Sequence, residues 1–216
     1  MPPSTSLASS GSNAVSSVLT LRPMSATKRS VVLDFVIYAG DPDDGAEGVP
    51  SERAVKDFSK YGDKLGLKDV AYGAILIEKD GKRLAELKPD PIFQLITKLV
   101  RTISFVLDGE PDNCLFMESD YGFTFEKANE DVLLSFFRGS DPFEPEEFLV
   151  QNLVVSIDDF AAQFIEMGDH MLELKKIADP GGYDDDEEAK GLIEFLDVGK
   201  GAYRTWRLEK ERGRRR

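Results

Sequence analysis

Between Asn113 and Val155 short apolar runs alternate with turn residues at hairpin spacing, and this constrains the fold more than any other feature. Asn113–Glu118, Gly122–Lys127 and Asp131–Arg138 read as strands, joined at Ser119-Asp120-Tyr121 and Ala128-Asn129-Glu130. Phe123 and Phe125 alternate with Thr124 and Glu126, as one buried and one wet face require. Phe148–Val155 adds a longer apolar strand. Upstream, Val31–Tyr38 is β-branched and aromatic, and Tyr72–Lys79 returns through Asp80-Gly81 into Lys82–Leu87.

Helices fill the intervals. Ser51 stands as an N-cap, with Val55, Phe58 and Leu65 on one helical face and Gly66 as the stop. Asp90-Pro91 opens a second helix with Pro91 at its first position. There Ile92, Leu95, Ile96, Leu99, Val100 and Ile103 keep the 3.6 period as far as Asp108-Gly109. Ser156-Ile157-Asp158-Asp159 is a Ser-x-x-Asp capping box, and the helix behind it runs to Asp179-Pro180-Gly181-Gly182. Ala189–Leu196 reads as a short helix. Hairpins dominate and no run of alternating βα units occurs. The expected class is therefore α+β: a mostly antiparallel sheet of about five to seven strands carrying two or three amphipathic helices.

The expected organisation is a tail or targeting segment over residues 1–29, one domain over 30–198, and a charged flexible tail over 199–216. Residues 1–29 are Ser-rich, acid-free and basic at Arg22, Lys28 and Arg29, so a transit peptide competes with a plain tail or a start at Met24. The expected location is cytoplasmic, or organellar if that segment is a transit peptide.

Several function classes fall away. Cys114 is the single cysteine, so no disulfide can form within the chain, and His170 is the single histidine, so a multi-histidine metal site is excluded. No apolar run approaches the roughly 18 residues of a membrane span. The phosphate-binding Gly-x-x-x-x-Gly-Lys and Gly-x-Gly-x-x-Gly patterns are absent, as is the Gly-x-Ser-x-Gly elbow. Cys114 sits in an apolar strand beside Asp112 and Glu118 and reads as a buried hydrophobe, and His170 reads as solvated beside Asp169 and Glu173. Asp41–Glu52 imitates a calcium loop but fails at Gly45 and Ala46. No cofactor or metal is expected.

Charge is the remaining signal. Residues 1–33 hold three bases and no acid, and residues 200–216 hold eight bases and two acids. With a formal total of −13, residues 34–199 carry −22. Such a body repels nucleic acid and anionic membrane and attracts a basic partner. In general plan the chain resembles acidic bacterial immunity proteins, which block basic toxin domains by charge complementarity. That resemblance implies a neutralising or adaptor protein and assigns no residue.

The expected function is thus a non-catalytic protein-binding module of immunity or antitoxin kind, engaging a basic protein. Its contact residues are the turn aromatics Tyr121, Phe143 and Tyr183 with the acids Asp184, Asp185 and Asp186. One alternative is an enzyme using a divalent metal held by carboxylates near Asp41–Asp44 or Asp184–Glu188. Another is a nucleic-acid accessory protein acting through Arg212, Arg214, Arg215 and Arg216.

Overall fold

The computed structural model describes residues 30–213. Residues 1–29 and Arg214, Arg215 and Arg216 lie outside the described residues, and with them the tail-or-targeting reading and most of the arginine cluster. The class is α+β with antiparallel strand pairing, but the strands form two sheets of five and four rather than one. The sequence periodicity marks strands without showing which of them share a ladder.

The first sheet is built on β1 (Val31–Tyr38), which pairs with β2 (Gly48–Pro50) on one side and β3 (Tyr72–Lys79) on the other. Asp80 and Gly81 take φ of 52° and 78°, as a two-residue hairpin turn needs, and lead into β4 (Lys82–Arg83). This return strand is two residues long, not the six expected as far as Leu87. The helix expected after Ser51 is also broken, into α1 (Ser51–Lys56), α2 (Phe58–Tyr61) and a 3-10 turn over Gly62–Lys64. Ser51 is the first residue inside α1 rather than its cap, because its hydroxyl is used in tertiary contacts. Asp90-Pro91 forms β5, bridging Tyr72-Gly73, and so α3 (Ile92–Asp108) begins one residue later than expected.

The second sheet is a meander of β6 (Asp112–Leu115), β7 (Tyr121–Ala128), β8 (Asp131–Arg138) and β9 (Glu147–Ser156). Ser156 Oγ accepts the Asp159 amide at 3.1 Å, so the expected box caps α4 (Ile157–Ala178). The last helix, α5 (Glu187–Gly213), has 27 residues. It replaces both the short helix at Ala189–Leu196 and the flexible tail expected from residue 199. Buried Leu192, Leu196 and Gly199 seat it on α3, and Tyr203 donates to Asp158 at 2.8 Å.

The core lies where α3 meets both sheets, α4 and α5. Phe123, Phe125, Phe160 and Phe164 fill it from the meander and from α4, with Phe125 edge-on to Phe164 at 5.7 Å. Among the described residues no helix is long and apolar enough to cross a membrane.

Strand direction fixes two poles. β1 ends and β3 begins at one pole, where β5 also pairs. Asp90 of β5 binds the amides of Met117 and Glu118, which brings the β6–β7 turn to that pole, and Gly139 N donates to Asp120 O, which brings the β8–β9 loop. Lys175 near the end of α4 lies over the Phe93 ring at the start of α3, and Glu188 accepts from Gln94, so the α4–α5 loop is there too. The Asp80-Gly81 and Asn129-Glu130 turns and the end of α5 occupy the opposite pole, where Lys210 pairs with Glu130 at 3.1 Å.

Candidate functional site

Acidic runs far apart in sequence meet at the first pole. Asp41, Asp43, Asp44 and Glu47 come from the β1–β2 loop, and Glu118 and Asp120 from the β6–β7 turn. Asp141, Glu144, Glu146 and Glu147 come from the β8–β9 connection, and Asp184, Asp185, Glu187 and Glu188 from the α4–α5 loop. All of these carboxylates are exposed.

Local hydrogen bonds set the loops. Asp41 caps the 3-10 turn Pro42–Asp44 by accepting the Asp43 amide at 2.9 Å, and Gly45 ends it at φ 76°. Asp141 accepts the Phe143 amide at 2.8 Å, and Arg138 faces Glu146 and Glu147, each at 3.6 Å. These restraints hold the backbone while leaving most carboxylate oxygens toward water.

At this pole a cleft of about 510 Å³ opens between the β1–β2 loop, the segment before β3, and Glu118. Tyr38, Tyr72, Asp41, Asp43, Lys64, Val70 and Pro89 are among its lining residues. The Tyr72 hydroxyl lies 2.9 Å and 3.0 Å from the two Glu118 carboxylate oxygens and donates to them. That bond, burial, and the charge of Glu118 together hold the Tyr72 hydroxyl above its ordinary pKa, so it stays a donor. Burial likewise raises Tyr38, against the pull of Arg83. Glu118 is itself placed by buried Asp90, which accepts its backbone amide at 3.0 Å.

The aromatics read as contact residues are spread over this pole. Tyr121 is half-buried, 5.8 Å from the Phe136 ring centroid, with the Lys88 ammonium 5.2 Å from its own. Phe143 is 88% exposed at the tip of the β8–β9 loop, the most exposed large hydrophobic side chain among the described residues. Tyr183 is half-buried, with Lys176 at 5.9 Å from its ring centroid. Asp184 and Asp185 are exposed, whereas Asp186 pairs with Lys175 at 3.0 Å and accepts the Ala189 amide at 3.0 Å. Arg212 is exposed near the end of α5, at the other pole.

Sequence reading missed a part-buried chain of polar contacts. Ser51, wholly buried, donates to Asp34 Oδ1 at 2.8 Å, and its oxygen lies 2.9 Å from His170 Nδ1. With Asp34 ionised, the single hydroxyl proton goes to Asp34 and the His170 contact is Nδ1–H donating to Ser51, the reverse of an activated serine, whose proton passes to the imidazole. The signal was an aspartate inside the apolar run Val31–Tyr38, since a charge in a buried strand needs partners. Cys114 is buried, as read.

Among the described residues no group of three or more His, Cys, Asp or Glu side chains is placed to hold a metal ion. The calcium-loop imitation is divided between the 3-10 turn, β2 and α1. No protein-family model matches the chain, and it has no significant match among curated proteins or solved structures.

Proposed function

We propose that this chain is a non-catalytic binding module whose acidic pole docks a basic protein partner. The supporting observation is the convergence of four separate acidic loops on one end of the molecule, two of which line a cleft that also holds Tyr38 and Tyr72. Lys79, Lys82, Arg83, Arg207 and Arg212 are exposed away from those loops, on the β3–β4 hairpin and along α5. An excess of acid at one end raises the rate of encounter with an opposite charge and orients it before contact. An immunity or antitoxin protein is the specific form of this reading, with a basic enzyme as the partner.

The test is capture from source lysate, eluted by a salt gradient, by three versions of the full chain. One is unchanged. The second carries Asn at Asp41, Asp43, Asp184 and Asp185, all exposed. The third carries Asn or Gln at the exposed acids Asp80, Asp108, Glu126 and Glu130. The expected result is a basic protein held by the first and third and lost from the second. Equal retention by the second and third overturns the proposal. Assay of the captured protein with and without the chain then decides the inhibitory form.

A further inference from the structure

Resting on the reading just given, we infer that the cleft between Tyr38, Tyr72 and Glu118 is a socket for one arginine side chain of the partner. The cleft of about 510 Å³ holds a guanidinium with its stem and leaves room for flanking backbone. Its walls combine two tyrosines with Asp41, Asp43 and Glu118. A planar guanidinium suits both kinds of surface: it stacks on an aromatic face and forks onto a carboxylate, whereas an ammonium is a point charge that keeps its water.

Tyr72 prepares the acceptor. By donating to Glu118 at 2.9 Å it fixes the carboxylate plane, and each carboxylate oxygen keeps a further lone pair for an incoming N–H. Asp90 fixes the backbone from the other side through the Glu118 amide. Glu118 is thus positioned before any ligand arrives, which lowers the ordering cost of binding. Among the described residues Lys64 is the one cation in the lining and is exposed, so it competes with the ligand for the same carboxylates.

The experiment titrates the isotope-labelled full chain with N-acetyl-arginine amide, N-acetyl-lysine amide and N-acetyl-citrulline amide, read by backbone NMR shifts. Arginine amide is expected to bind with a dissociation constant of about 1 mM, shifting the amides of Tyr38, Tyr72 and Glu118. Lysine amide should bind about threefold more weakly, and neutral citrulline amide at least about tenfold more weakly. Glu118→Gln should weaken arginine amide about tenfold, and Lys64→Ala, a surface change that leaves the fold alone, should tighten it about threefold.

Citrulline amide binding as well as arginine amide, shifts confined to other residues, or no shift with any probe each overturns the socket. Loss of the partner from the neutralised acidic pole, with no arginine amide bound, would leave the docking reading standing without the socket. Arginine amide bound in the cleft, with no partner that depends on the pole, would overturn the docking reading instead.

Discussion

The wholly buried carboxylate of Asp90 accepts the backbone amide of Glu118 at 3.0 Å, and both of its oxygens lie 3.0 Å from the amide of Met117. This one side chain joins the first sheet, where Asp90 pairs with Gly73, to the β6–β7 turn of the second. It also places Glu118 at the cleft. Asp90→Ala should leave two amides without their acceptor and cost about 2 kcal/mol, a fall of roughly 4–8 °C in Tm. The same variant should lose the Tyr72–Glu118 geometry, so its amide shifts on adding arginine amide should vanish while the fold persists below Tm.

Asp34 gives a pH signature. Burial raises its pKa above the ordinary 3.8, with Glu166 adding to it, while the Ser51 hydroxyl, the Phe35 amide and His170 pull the other way. A carboxyl raised in the folded state contributes stability that is whole below its unfolded pKa and is lost as pH climbs through the folded one. Asn at this position keeps an acceptor for Ser51 and never ionises. The Tm of Asp34→Asn relative to the unchanged chain should therefore rise between about pH 4 and pH 7. A difference that stays constant across that range would show Asp34 to be unshifted.

Cys114 should be inert in the native protein. Burial pushes its thiol up to about 12, against the smaller pull of Lys98 and Arg101. The thiolate is the reactive form, so a disulfide reagent at neutral pH should label no thiol in the folded chain and one thiol in denaturant. Labelling of the native protein within minutes would place Cys114 in a more open setting than β6 gives it.

The elements legible in sequence were those whose local pattern and tertiary role agree. The apolar spacing from Ile92 to Val106 gives α3, Asp80-Gly81 gives its turn, and Asp131–Arg138 is the strand β8 to the residue. The misreadings share a cause, because each depends on a partner distant in sequence. Ser51 looked like a cap, but its hydroxyl is claimed by Asp34 and His170, 17 and 119 residues away. Asp90-Pro91 looked like a helix start, but Tyr72 and Gly73 draw it into a sheet. From Gly199 onward α5 is highly charged and contains Gly199 and Gly201, a poor helix by propensity. A Cβ on Gly199 would lie 3.3 Å from Ile103 Cδ1, so the glycine permits the close packing on α3 that sustains the helix. The acidic runs were visible one by one, but their meeting at one pole follows only from the direction of each strand and helix.

The α4–α5 loop holds one paired acid and two exposed ones within three consecutive residues. Burial acts to raise the pKa of Asp186, but the Ala189 amide and the Lys175 ammonium outweigh it and hold the carboxyl below its ordinary range. Stability from such a group is present above its unfolded pKa and is lost as pH falls through the folded one. Asp186→Ala should remove both the cap of α5 and the pair with Lys175, costing about 1–2 kcal/mol at neutral pH and progressively less under acid. Because that carboxylate is already committed to Lys175, the variant should keep its affinity for the captured basic partner within about twofold. Asp184 and Asp185 are exposed, so their joint change to Asn should leave Tm unchanged within about 1 °C. It should slow association with the same partner and flatten its salt dependence. Thermal melts and stopped-flow binding on the two variants should therefore give opposite patterns. If Asp186→Ala is instead the variant that loses the partner without losing stability, the loop binds through its cap and the division between the two roles is wrong.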